Sequence, residues 1–223
     1  MINMPSIIQA ALFLVIVALP LKSYAVLIGG VEFPQGDISF ADSVHSFTPN
    51  IESGQPTDPF LGADNALGAP DFSNTNCVSQ IACEFVSLGD GGSIVLQFVD
   101  NLLTGSDNDG LDLWIFEIGP DVEDTFVEIS VDAVTWFSVG AVGGATSGID
   151  IDAFGFDSSF VFSYVKLIDD TDLGRQTGAT VGADIDAVGA ISTVRATQVP
   201  SPALNLMIIM GCIFLVRKHA VKA

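Results

Sequence analysis

TFVEISVDAVTWFSV, running from Thr125 to Val139, is the stretch that decides the fold. Thr125–Val131 and Val134–Val139 are rich in β-branched and aromatic residues with polar ones between them, and Asp132-Ala133 separates the two runs. Such alternation marks half-buried strands, so the segment reads as two strands joined by a tight turn. Asp-Gly is the usual chemistry for that turn. Ala133 stands where the Gly would be, which leaves the turn type open. Trp136 and Trp114 both sit inside strand-like runs, so they read as core plugs rather than ligand platforms.

The same pattern recurs on either side. Ser93–Val99 (SIVLQFV), Asp112–Ile118 (DLWIFEI), Phe160–Ile168 (FVFSYVKLI) and Asp184–Ile191 (DIDAVGAI) are further strand candidates, with Asp37–Phe40 a weaker one. Clusters of Gly, Asp, Asn and Ser separate them, and no helical periodicity of any length intervenes. Short strands with this spacing predict an all-β, antiparallel sandwich.

Both ends of the 223-residue chain read as targeting segments. Ile7–Leu21 is a short apolar run, followed by Lys22-Ser23-Tyr24-Ala25. It fits a signal helix over residues 1–25 with signal-peptidase cleavage after Ala25. No Lys or Arg precedes the apolar run, and a retained N-terminal anchor is the alternative. Residues 26–197 suffice for one domain with its own core. Residues 198–223 form a tail in which Pro200 and Pro202 precede an apolar run, Ala203–Val216, that ends on Arg217 and Lys218. This predicts a marginal transmembrane helix with a cytoplasmic basic end.

Charge separates the parts. All 27 acids lie between Glu32 and Asp186, and the central region holds only Lys166, Arg175 and Arg195 to oppose them. The central region therefore carries about −24, against −20 for the whole chain. Such a surface repels nucleic acid and attracts cations. Arg175, after Asp169-Asp170-Thr171-Asp172, reads as an ordinary surface ion pair. Cys77 and Cys83 lie close together in an Asn- and Ser-rich segment, whereas Cys212 lies in the tail. In an exported chain we favour a local Cys77–Cys83 disulfide over two free thiols.

The tail, Val199-Pro200-Ser201-Pro202-Ala203, then an apolar helix with Gly211, then Arg217-Lys218, resembles the PEP-CTERM sorting signal. Ser201 stands where the family's namesake has Glu. The resemblance implies processing by an exosortase-type enzyme after transient anchoring in the inner membrane of a Gram-negative, exopolysaccharide-producing bacterium. The central motifs ALGAPD (Ala66–Asp71), VSLGDGGSIVLQF (Val86–Phe98), NDGLDLWIFEIG (Asn108–Gly119) and GADIDAVGAI (Gly182–Ile191) resemble a recurrent domain of bacterial surface proteins. That domain is similar to galactose-binding-like, discoidin-type sandwiches. The implication is an eight-stranded jelly roll with loops gathered at one end and a role in surface attachment or glycan binding.

The densest acidic constellation is Asp107-Asn108-Asp109-Gly110-Leu111-Asp112. Ca²⁺ takes six to eight oxygen ligands, and close-set carboxylates on a Gly-containing turn can supply them. The spacing is not that of an EF-hand, and no repeat array follows. Asp184 and Asp186, at strand period, share one face and would need a cation if buried. They could join Asp112 on one ion if their strands are neighbours. Asp64, with Asn65 and Asp71, is a third oxygen cluster, whose weight the discoidin resemblance raises. His45 is the one His of the central region, and no nucleophile motif accompanies it. The expectation is therefore a non-enzymatic protein of the cell surface or exopolysaccharide matrix, stabilised by Ca²⁺ and binding glycan or surface partners. The alternatives are a purely structural acidic matrix component and a glycan-active hydrolase.

Overall fold

The computed structural model describes residues 25–73, 83–118, 123–172 and 177–196. Thirteen strands cover them. They are β1 (Val26–Ile28), β2 (Val31–Phe33), β3 (Ser43–Thr48), β4 (Val86–Ser87), β5 (Ser93–Gln97), β6 (Asn101–Leu103) and β7 (Leu113–Glu117). There follow β8 (Asp124–Ser130), β9 (Phe137–Gly143), β10 (Thr146–Ile149), β11 (Tyr164–Asp169), β12 (Asp184–Ala190) and β13 (Thr193–Arg195). The predicted signal helix, Cys77, Arg175 and the whole sorting tail lie outside the described residues.

Two antiparallel sheets face each other. One is five-stranded, in the order β3-β5-β11-β8-β9, and the other four-stranded, in the order β10-β7-β12-β4. β1-β2 and β6-β13 form two further two-stranded ribbons. The predicted all-β sandwich is therefore the fold, with nine strands in its two main sheets where the resemblance implied eight.

Period-two patterning explains the core. Ile94, Leu96, Val127, Ile129, Val165 and Leu167 point inward from the five-stranded sheet. Leu113, Ile115, Ile149, Ile185 and Val188 meet them from the four-stranded one. Alternate residues of the five-stranded sheet face water, and there Lys166 pairs with Glu128 at 2.8 Å. The four-stranded sheet is covered on both faces, which is why every residue of β12 is buried. Its outer side carries a second cluster built from Val31, Phe33, Phe40, Phe116 and Ala187.

That outer cover needs Gly189. A Cβ there would sit 2.7 Å from Phe33 Cε1 and 2.8 Å from Phe40 Cε1. Both rings are fully buried with centroids 4.6 Å apart, so neither has room to retreat. Gly189→Ala is expected to cost about 1–3 kcal/mol by overpacking, read as a lower denaturation midpoint in urea.

Three local expectations are corrected. Asp37–Phe40 is not a strand, since Gly36–Ser39 forms a 3₁₀ turn closed by Phe40 N–H donating to Asp37 O. The 125–139 hairpin has a longer connection than a two-residue turn. Asp132 accepts N–H groups from Val134 and Thr135, Ala133 takes φ +58°, and β9 begins only at Phe137. Trp136 consequently falls in the connection and lies half-buried, with Lys166 Nζ 5.4 Å from its ring centroid, rather than in the core. Trp114 does pack, half-buried, on the outer cluster.

Candidate metal centre

The register of β7 against β10 builds the site. Leu113 pairs with Ile149, so Asp112 and Asp150 emerge side by side at the same end of the sheet. Asp112 N–H donates to Ile149 O at 2.8 Å, and Asp112 O accepts the N–H of Ile191, next to the end of β12, at 2.7 Å. Asp112 thus starts a central strand flanked on both sides, and it is fully buried.

The chain then turns around its carboxylate. Ile151 N–H donates to Asp112 Oδ2 at 3.0 Å, and Asp152 opens the 3₁₀ turn Asp152–Phe154. Asp152 Oδ2 accepts Ser106 N–H at 2.7 Å and Oδ1 accepts Asp107 N–H at 3.2 Å. These bonds tie the loop before β7 to the loop after β10. The contact is so close that a Cβ on Gly105 would lie 2.2 Å from Phe156 O and 2.8 Å from Asp152 Oδ2.

One carboxylate oxygen from each of Asp112, Asp150 and Asp152 falls within 4.8 Å of the other two. Oxygens ligating one Ca²⁺ at about 2.4 Å can be separated by at most about 4.8 Å, so the triad has the dimensions of a cation site. Asp112 Oδ1 is the decisive atom. It is buried without a hydrogen-bond partner. Burial raises the Asp112 carboxyl above the ordinary range, and the negative charge of Asp152 adds to the rise. The nearby hydroxyls of Ser192 and Ser106 and the Ile151 N–H temper it, but neither hydroxyl closes a bond to Oδ1. An ionised carboxylate in that position is costly unless a cation or donor meets it.

The residues expected from sequence are distributed differently. Asp107 and Asp109 line the open cleft above the triad together with Asn108 and Asp157. Asp107 is taken up in pinning the two loops, accepting Ser158 N–H at 3.0 Å and Ser158 Oγ–H at 2.5 Å, which lowers its pKa. Asp64 lies exposed in the 3₁₀ turn Ala63–Ala66.

β7 and β12 are indeed neighbours, but antiparallel. Leu113 pairs with Ala190 and Glu117 with Ile185, which sends Asp184 and Asp186 to the opposite end of the sheet from Asp112. Asp184 accepts a hydrogen bond from the Ser87 hydroxyl. Asp186, at a β-bulge, accepts Asp71 N–H at 3.3 Å, and burial pushes it to about 6. They do not share an ion with Asp112. Cys83 is buried and disulfide-bonded.

Sequence reasoning missed Asp150 and Asp152. Their signal was present, because Asp150-Ile151-Asp152 has the same Asp-x-Asp spacing as Asp107-Asn108-Asp109 and Asp184-Ile185-Asp186.

No protein-family model and no curated protein matches this chain. Among solved structures it is similar to the C-terminal domain of a chitobiase from Bacteroides fragilis, with 18% identity and a TM-score of 0.37. That match covers 69% of this chain and 95% of that one. It is also similar to CpGH89CBM32-4 produced by Clostridium perfringens, with 12% identity and a TM-score of 0.35, covering 70% and 98% of the two chains. The sandwich assignment rests on this chain's own strand pairing, and the site on its own carboxylates.

Proposed function

We propose that this protein is an exported, non-enzymatic component of a bacterial cell surface or exopolysaccharide matrix. In this reading its β-sandwich is stabilised by Ca²⁺ at Asp112, Asp150 and Asp152 and binds glycan or surface partners. The observation that carries the cation is the unpartnered, fully buried Asp112 Oδ1 inside a triad of calcium dimensions. The disulfide at Cys83 supports an oxidising compartment. The signal-like residues 1–25 and the tail with Val199, Pro200, Pro202, Ala203, Arg217 and Lys218 support export, with signal peptidase and an exosortase-type enzyme as processing partners.

The test of the cation is a melting curve recorded against Ca²⁺. An ion bound only by the folded form adds about 2.7 kcal/mol at one hundred times its dissociation constant. For a domain of this size that is a rise of about 5–10 °C. Asp150→Asn, at a half-buried position, should remove most of the rise while leaving the chelator value near that of the parent. Identical curves in calcium and in EGTA would favour the purely structural alternative, in which the acidic surface of about −24 acts only through bulk bridging.

A further inference from the structure

We propose that one end of the sandwich rests on the bilayer that anchors the chain's own tail, through an apolar patch formed by Val131, Val134, Phe137 and Phe160. This rests on the reading of residues 198–223 as a membrane tail.

The patch lies where β5 and β8 finish and β9 and β11 start, since Tyr164 pairs with both Gln97 and Ser130. The β8–β9 connection displays Val131 and Val134, the latter 80% exposed. Phe137 and Phe160 are exposed as well, and their ring centroids lie 5.2 and 5.5 Å from that of Phe156. The start of β9 and the loop before β11 therefore share one aromatic surface. Contiguous apolar surface of this kind marks an interaction site.

The β8–β9 connection also meets its own polar needs. Ser130 Oγ accepts the N–H groups of Asp132 and Ala133 at 3.2 and 3.0 Å. Asp132 Oδ1 accepts those of Val134 and Thr135 at 2.9 and 2.8 Å. Four consecutive backbone donors are thus satisfied within the loop, which lowers the cost of taking Val131 and Val134 out of water.

The exit of the chain identifies the partner. Arg195 of β13 pairs with Asn101 of β6, and Ala196 N–H donates to Asp100 O at 3.2 Å. On its other side β6 meets the patch, because Leu103 bridges Phe162, whose ring stacks on that of Phe160 at 6.5 Å. The chain thus leaves the domain beside the patch. Ala203, where the apolar run of the tail begins, comes seven residues after Ala196. That length reaches at most about 25 Å. A seven-residue strand such as β8 spans about 24 Å by itself. The tether would have to run back along the whole sandwich to bring the opposite end to the membrane, whereas the patch needs no such path.

Charge gives the contact its character. Asp100 stands beside the exit and Asp157 follows Phe156, so anionic headgroups are repelled and the contact is apolar.

The experiment uses the full chain reconstituted into phosphatidylcholine vesicles whose acyl chains are brominated. A reporter is introduced at the patch by Val134→Trp or at the opposite end by Ile51→Trp, both exposed positions. The bromolipid is expected to quench the added emission of Val134→Trp by about threefold or more and to leave that of Ile51→Trp unchanged. Equal quenching at the two positions, or quenching at neither in chains that float with the vesicles, overturns the inference. So does dimerisation in detergent that buries the indole of Val134→Trp, which would give the patch to a second copy. Failure of the parent chain to float with the vesicles removes the membrane-tail reading itself.

Discussion

In chelator, the melting temperature of this protein at pH 5 is expected to exceed that at pH 8 by roughly 10 °C. The cause is a set of buried carboxyls at the end of the sandwich away from the triad. Burial pushes Glu117 up to about 9, and the neighbouring negative charges of Glu123 and Asp184 add to it. Glu117 Oε1 accepts Glu123 N–H at 3.0 Å, so the pair closes the connection into β8. Burial likewise pushes Asp169 to about 6, although Gly91 and Ala183 donate N–H groups to it at 2.8 and 2.7 Å. Asp186 reaches about 6 for the same reason, with Asp71 and Glu84 nearby.

The sign follows from proton linkage. Each of these groups binds its proton more tightly folded than unfolded, so its contribution is fully present below the unfolded pKa and is lost as pH rises through the folded one. For Asp169 and Asp186 the loss runs from about pH 4 to about pH 6, and for Glu117 it continues toward about pH 9. Asp107 and Asp132, whose pKa values are lowered by hydrogen bonds, act in the opposite sense, but their effect is complete before pH 5. The window between pH 5 and 8 therefore belongs to the raised groups. A melting temperature that climbs steadily with pH across that window would mean these carboxyls are met by donors or cations the geometry does not contain. Glu117→Gln, which keeps the shape and removes the charge, should flatten the upper half of the profile.

The second large effect is expected at Gly105. The glycine lies where the loop before β7 crosses the loop after β10, and an added methyl would overlap the backbone carbonyl of Phe156 at 2.2 Å. A backbone atom cannot rotate away as a side chain can, so the loops must separate. Gly105→Ala is expected to cost about 3 kcal/mol or more. It should also abolish the calcium-dependent melting rise, because Asp152 is fixed by the N–H groups of Ser106 and Asp107, the next two residues. The informative comparison is with Gly189→Ala, which also overpacks but at the outer face of the four-stranded sheet. Gly189→Ala should lower stability and leave the calcium response intact. A calcium response that survives Gly105→Ala at full size would separate the ion from the Asp152 loop and so dismantle the site as drawn.

The amino-acid sequence by itself determined the strands that carry a local period-two pattern. Ser93–Val99, Asp112–Ile118, Thr125–Val131 and Asp184–Ile191 were legible as short β-branched and aromatic runs between Gly, Asp, Asn and Ser clusters, and they appear as β5, β7, β8 and β12. β10, Thr146–Ile149, escaped because Gly148 breaks the pattern. β1 and β2 escaped because three-residue strands have too little period to detect. The acidic character of the loop before β7 was equally legible.

Only the tertiary structure decided which acids meet. The partners of Asp112 are Asp150 and Asp152, brought in by the antiparallel register of β7 and β10. Asp184 and Asp186, on the strand next door, are carried to the far end by the same antiparallel rule. The physical reason is that side-chain period is a property of neighbours along the chain. The convergence of carboxylates is instead a property of which strand ends coincide, and backbone pairing between distant segments sets that.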